Sequence, residues 1–264
     1  MGKKLSNAPV YYTVAQVQFN PILNLDVYVP GIQAQMREKH FPDFRQDVVQ
    51  RLVLPVGMVE PGQLAAPTLT PQSRYQFGNI SGNARFVLEP NALSFQTTAY
   101  ETFEAFSKTL VTGLGVVHDA IRLDFIERIG LRYLDAVQPS GEKESLRDFL
   151  VSEVLGLSLR GDVQHQHSVS ETVVATPAGQ LISRVLIRHG QIGLPLELTA
   201  LAPTIDPRFT QRTGLHAIID TDASTTKREA FDLPNVETQL EALHGEIDKC
   251  FKAIVTEHAL SAWA

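Results

Sequence analysis

Two histidines and two aspartates have the spacing of metal ligands. Side chains two residues apart in a strand point to the same face, so His165 and His167 would present two imidazoles, and Asp220 and Asp222 two carboxylates. Imidazole and carboxylate groups together suit a first-row transition metal. The four residues predict a His/Asp metal site if their strands are neighbours. The simpler alternative is two pairs of solvent-facing side chains.

Four arginines are the best candidates for binding an anion. Arg128 and Arg132 are an even number of residues apart in one predicted strand, and Arg184 and Arg188 repeat this spacing in another. Guanidinium groups on a sheet face can bind carboxylate or phosphate, whereas cross-strand ion pairs on a solvated face are the alternative. Together with Asp135, the first two arginines interrupt a strand otherwise suited to a core. They predict a polar groove where the two halves of the chain meet.

Common catalytic motifs are missing from the sequence. It contains no G-x-S-x-G, no H-E-x-x-H and no Walker lysine, and Gly113-Leu-Gly115 lies inside a predicted helix, where it indicates helix packing rather than phosphate binding. Cys250 is the only cysteine, so the chain has neither an intramolecular disulfide nor a cysteine ligand set. As a nucleophile Cys250 would need a base beside it. We therefore expect no cofactor and do not favour an enzyme.

Composition places the chain among ordinary globular proteins. Hydrophobic residues make up 44% and charged residues 20%, which is far from disordered or disulfide-scaffold compositions. The net charge of −6 is divided unevenly, with +1 on residues 1–123 and −7 on residues 124–264, so neither half indicates general nucleic-acid binding. The sequence has no apolar run of signal-peptide or membrane-spanning length. We expect a cytoplasmic protein without membrane contact.

A repeated order of elements would position the candidate residues. Hydrophobic spacing and turn residues predict strand, helix, four strands and helix twice along the chain. The first set is a strand at 10–19, a helix at 25–40, strands at 47–56, 74–79, 84–89 and 92–99, and a helix at 100–121, with a Pro-rich loop at 57–72. The second set is a strand at 124–137, a helix at 144–155, strands at 163–175, 180–188, 194–201 and 215–221, and a helix at 235–258 capped by Asn235.

This order predicts an α+β fold of two β-α-β4-α units, residues 1–122 and 123–264. Each unit would cover one face of an antiparallel sheet with its long closing helix, because an apolar sheet face must be buried against another element. The order resembles the TATA-binding-protein-like and helix-grip folds, in which tandem copies form a saddle. One irregular α+β sheet with a chance similarity of order is the alternative.

Four short segments resemble a widespread but sporadically distributed family of uncharacterised prokaryotic proteins. They are residues 7–10, the strand sequence ERIGLRY at 127–133, residues 218–222, and residues 243–247 with Phe251. The resemblance extends over nearly the whole chain and implies a bacterial or archaeal protein. It implies no activity.

Four functions are consistent with these patterns. The first is a non-catalytic binding or adaptor protein that engages a protein partner through its sheet face or the loop at 57–72 and associates with itself. The second is a helix-grip pocket for a small apolar or anionic ligand. The third is nucleic-acid binding through Arg128, Arg132, Arg184 and Arg188, which the charge does not favour. The fourth is a metal-dependent enzyme.

Overall fold

A computed structural model describes residues 7–53, 68–139, 144–159 and 165–264. Within these ranges all strands belong to one sheet, and all pair antiparallel, in the order β2-β3-β4-β5-β1-β6-β9-β8-β7, with β10 also beside β6. The strands are β1 Val10–Phe19, β2 Asp43–Val53, β3 Thr68–Gly78, β4 Ala84–Glu89, β5 Ala92–Thr97, β6 Phe125–Val137, β7 His167–Thr176, β8 Gly179–Gly190, β9 Gly214–Thr225 and β10 Glu229–Ala230.

Three long helices cover one face of this sheet. Apolar residues of α1, α2 and α7 pack in one core with the inward side chains of β1 and β6, such as Val17 and Leu131. Among the described residues no helix is long and apolar enough to cross a membrane. The helices are α1 Val29–Glu38, α2 Phe103–Ile121, α3 Leu146–Phe149, α4 Ser152–Leu155, α5 Leu196–Thr199, α6 Pro207–Thr210, α7 Leu233–Ile254 and α8 Glu257–Trp263.

The opposite face, called here the open face, is covered only in part. The segment from β8 to β9, which includes α5 and α6, packs over one end of the central strands in a separate apolar cluster containing Tyr12, Ile192 and Phe209. A register shift in β1 between Val10 and Tyr12 is a β-bulge, which re-aims side chains. Tyr11 and Tyr12 both contribute to this cluster.

The two predicted units share the central strand pair. β1 and β6 pair antiparallel along their lengths, with Val17 opposite Ile129 and Ala15 opposite Leu131. The sheet therefore runs without interruption across the predicted boundary at 122–123.

The strand predicted at 194–201 was wrong. This segment forms the short helix α5, where Leu194 and Leu198 pack on the open-face cluster and Leu196 is 87% exposed. Alternate leucines resemble a strand, but the two that pack are four residues apart, which is helical spacing. The second half therefore has three long strands after its first, with the short β10 following them, instead of the four strands predicted.

Other boundaries also differ from the predictions. The helix expected at 144–155 is divided into α3 and α4, because Leu150 forms an isolated bridge with Val255. Asp232, rather than Asn235, caps α7 by accepting a hydrogen bond from the backbone N–H of Asn235. The helix predicted at 235–258 ends at Ile254, and α8 follows it. Of the predicted loop at 57–72, residues 57–67 lie outside the described residues and 68–72 belong to β3.

Candidate functional site

All four candidate arginines lie on the open face, whereas the even spacing predicted only that the two members of each pair share a face. Arg132 is bound to Asp220 of β9 through two contacts of 2.7 Å, one from Nε and one from Nη2. Its Nη2 also donates to Glu197 of α5 at 3.0 Å. The Asp220 side chain is only 3% exposed. Burial would lower the pKa of Arg132, but the hydrogen bonds and charge of Asp220 outweigh it and raise that pKa.

The arginines of β8 are also engaged. Arg184 donates to Glu171 of β7 and has its Nη1 3.7 Å from Asp220, while Arg188 donates to the carbonyl of Gln191 and lies 3.4 Å from His216. Cross-strand ion pairing therefore accounts for Arg132 and Arg184. Paired charges are a poor surface for nucleic-acid phosphates, which need unneutralised cations.

Arg128, unlike Arg132 and Arg184, has no ion-pair partner in the described part of the chain. Its guanidinium lies over Gly130, where a Cβ would be 2.7 Å from Nη1, so the missing side chain makes room for it. It lines a pocket of about 230 Å³ on the open face, together with Gln16, Gln96 and Asp222. Burial raises the pKa of Asp222, against the attraction of Arg132 and Arg128. With acids and arginines mixed, this pocket does not select a ligand charge.

The four proposed metal ligands are not brought together. His165 precedes β7, so it does not share a strand face with His167. His167 pairs with Arg188, whereas Asp220 pairs with Arg184, four residues further along β8, which is about 13 Å at strand spacing. Asp220 is already bound to Arg132. Within the described ranges no group of three or more His, Cys, Asp or Glu residues is placed to hold a metal ion.

A second pocket lies on the other side of the sheet, between β6 and α7, and we call it the α7 pocket. Its volume is about 410 Å³. Both predicted units contribute to it, the first through β1 and the start of α2 and the second through β6 and α7. It is lined by Ala8, Pro9, Val10, Tyr100, Glu101, Thr102, Phe103, Glu104, Tyr133, Asp135, Glu241, His244, Ile247, Asp248 and Phe251.

Asp135 is the unusual residue of the α7 pocket. Alternation along β6 places it on the helix-covered face with Tyr133 and Val137, opposite Ile219 of β9. It is 8% exposed, and its carboxyl group has no hydrogen-bond or ion-pair partner among the described residues. Burial raises its pKa from 3.8 to about 7, because a low-dielectric environment penalises the charged form. A buried carboxyl group without a partner is costly, so its presence needs a reason.

Aromatic groups line the same pocket as this carboxyl group. The Tyr133 hydroxyl lies 3.3 Å from the Tyr100 hydroxyl and 3.2 Å from Nδ1 of His244. The His244 ring stacks on Phe103 with centroids 4.1 Å apart. Burial lowers the pKa of His244 and raises that of Tyr100 to about 12. Near neutral pH the pocket thus contains a neutral imidazole, neutral phenols and a carboxyl group poised between its two charge states.

Part of this pocket was visible in the sequence. Asp135 stood out as a polar interruption of a core strand, but it was grouped with Arg128 and Arg132 in one groove. Its position is an odd number of residues from theirs, so alternation puts it on the opposite, apolar face. A carboxylate on an apolar face is the signal that could have identified it. Tyr100 and His244 gave no comparable signal, because each lies in a helix or near one, 35 or more residues from Asp135.

Comparison with known proteins does not assign the chain to a family. No protein-family model matches this chain, and no curated protein matches it.

Proposed function

We propose that this protein is a binding protein that takes up a small organic ligand in the α7 pocket. The carrying observation is the unpartnered, buried carboxyl group of Asp135, which opens into an aromatic-walled pocket large enough for a small molecule. Ligand sites are typically apolar concavities of this order with few polar groups, and perturbed titratable groups concentrate in functional sites. A structural role alone would favour an apolar residue at position 135.

The position of the pocket supports a helix-grip mode of binding. The ligand would lie between the sheet, represented by Tyr133, and the long closing helix, represented by Ile247. The tandem TATA-binding-protein-like duplication remains a proposal alongside it. In its favour, β1 and β6 pair at the centre, and the strands outside them, β5-β4-β3-β2 on one side and β9-β8-β7 on the other, run in reversed chain order.

Small aromatic fragments test the binding site. We expect at least one of benzylamine, benzyl alcohol and benzoate to bind with one-to-one stoichiometry, measured by ligand-observed NMR titration. Glu241 is exposed and lines the pocket mouth, so Glu241→Trp should obstruct the pocket and weaken binding at least tenfold, about 1.4 kcal/mol.

The matched control is Glu237→Trp, which makes the same change at an exposed position one helical turn earlier, outside the pocket lining. It should leave affinity unchanged. Binding of none of the three fragments, or equal effects of the two tryptophans, would show that the α7 pocket is not a binding site.

A second candidate function, engagement of a protein partner, is favoured by β7. This strand lies at the end of the sheet order, with β8 as its one neighbour among the described strands. Val169, Val173 and Val174 are 56%, 52% and 41% exposed. A long apolar edge strand is a template for pairing with another chain. A second copy of this protein is the partner that we propose, because it presents the same edge.

Sedimentation equilibrium tests this self-association. The wild-type protein should form dimers, and Val173→Lys should shift it to monomers by placing a charge in the paired edge. Val48→Lys adds the same charge to β2 at the other end of the sheet, where Val48 is 62% exposed, and should leave the dimer intact. A monomeric wild-type protein would contradict the proposal.

A further inference from the structure

We propose that the ligand of the α7 pocket is an organic cation, an aromatic or aliphatic ammonium compound, held by Asp135 and the surrounding aromatic rings. This inference rests on the proposed binding function and specifies its ligand class. It departs from the apolar or anionic ligand that the sequence led us to expect.

The charges around the pocket carry the first step. No lysine or arginine is among the described residues that line it. Lys252 is nearby, but its Nζ is bound to Asp248 at 2.7 Å. With Asp135 ionised and no positive side chain among the described lining residues, apolar walls make this concavity favour a cation over an anion. Besides Asp135, the carboxylates that line it are Glu101, Glu104, Glu241 and Asp248.

The aromatic walls carry the second step. Ring faces attract cations, and sites for ammonium groups are commonly built from several rings. Here Tyr100 and Tyr133 meet edge to face at 5.3 Å, and Phe103 and His244 are stacked. Phe251 lines the same pocket. An anion would instead face both the carboxylates and the negative ring faces.

The missing counter-charge of Asp135 carries the third step. Nearly every buried carboxylate in proteins has a partner that compensates its charge, and Asp135 has none in the described structure. An ammonium group would supply both the charge and the hydrogen bonds. The ligand would thereby complete an ion pair of which the protein contains one half.

Cation binding should depend on pH through this carboxyl group. The other titratable groups around Asp135 besides the carboxylates above are Tyr11, Tyr100, Tyr133 and His244. The three phenols have pKa values raised by burial and stay neutral. Protonation of His244 at low pH would repel a cation and so act in the same direction as protonation of Asp135. With the pKa of Asp135 at about 7, its ionised fraction rises about tenfold from pH 6 to pH 8.

Benzylamine and benzyl alcohol, which have the same number of heavy atoms but differ in charge, form the test. We expect benzylamine to bind at least tenfold more tightly than benzyl alcohol at pH 8, and benzoate to bind most weakly. Benzylamine affinity should rise about tenfold between pH 6 and pH 8, whereas benzyl alcohol affinity should stay constant. Asp135→Asn should weaken benzylamine binding at least tenfold at pH 8, remove its pH dependence and change benzyl alcohol affinity much less.

These outcomes separate the two proposals. If benzyl alcohol or benzoate binds as tightly as benzylamine, or if Asp135→Asn leaves benzylamine affinity unchanged, the pocket is a binding site but not one for cations. If no fragment binds, the proposed function itself fails. Circular dichroism of Asp135→Asn establishes that a loss of benzylamine binding does not come from unfolding, and retained benzyl alcohol binding provides the same control at the pocket.

Discussion

Replacing Asp135 by asparagine should stabilise the protein at pH 8 and have little effect at pH 4. The carboxyl group has a pKa of about 7 in the folded state and about 3.9 in an unfolded chain. Between these values the folded state holds more protons than the unfolded state, so the free energy of unfolding falls as pH rises. Above pH 7 the buried carboxylate is ionised, and it lowers the free energy of unfolding by up to about 4 kcal/mol. Asparagine has the same shape and cannot ionise.

Urea denaturation of both proteins at pH 4, 6 and 8 measures this effect. Asp119 on α2 is an exposed carboxylate, and Asp119→Asn should change stability by about 0.5 kcal/mol or less at each pH. A gain that is equal at pH 4 and pH 8, or a loss at pH 8, would contradict the burial of an uncompensated charge. If Asp135→Asn also weakens benzylamine binding, Asp135 lowers the stability of the protein but is required for binding. Such residues are common at functional sites.

Asp220→Asn should have the opposite effect and destabilise the protein by about 3 to 5 kcal/mol. Asp220 is 3% exposed and binds Arg132 through both oxygens, with Arg184 nearby. Removing its charge leaves the Arg132 guanidinium largely buried, with Glu197 as the salt-bridge partner that remains among the described residues. Breaking one side of a buried pair costs more than the pair itself contributes.

Two further variants test this explanation. Asp43→Asn removes one side of the exposed pair with Arg45, whose side chains are 40% and 60% exposed, and should cost less than about 1 kcal/mol. The double variant Arg132→Met with Asp220→Leu removes both charges and should be more stable than Asp220→Asn alone, because the buried guanidinium is removed together with its carboxylate and the Glu197 left behind is exposed. Equal losses in urea denaturation for Asp43→Asn and Asp220→Asn would refute the role of burial.

Hydrophobic periodicity predicted most of the fold. β1, α2, β4, β6 and β8 lie within a few residues of their predicted bounds, because each has a one-sided apolar pattern that only one secondary structure buries. The prediction failed at α5, where alternate leucines fit a strand, and at the helix expected at 144–155, which is divided by the bridge at Leu150. In both segments the secondary structure depends on contacts with residues far away in the sequence, and local hydrophobic spacing carries no information about those contacts.

The candidate sites were less accessible to sequence reasoning. The even spacing of Arg128 and Arg132 correctly placed them on one face of the strand, but it could not show that Asp220 neutralises Arg132. The α7 pocket depends on Tyr100, Asp135 and His244 meeting through the packing of α2 and α7 on β6, which requires the topology of the whole sheet. A carboxylate on the apolar face of a strand, Asp135, was the one signal of this pocket that the sequence contained.

The central position of β1 also determines when the sheet and its core can form during synthesis. β1 ends at Phe19 and its partner β6 begins at Phe125, and the apolar residues of α7 that close the same core, including Val236 and Leu240, lie near the end of the sequence. Such distant contacts slow folding. The ribosome therefore releases the first five strands before β6 and α7 exist, and a nascent chain of this protein exposes apolar surface of the kind that chaperones bind.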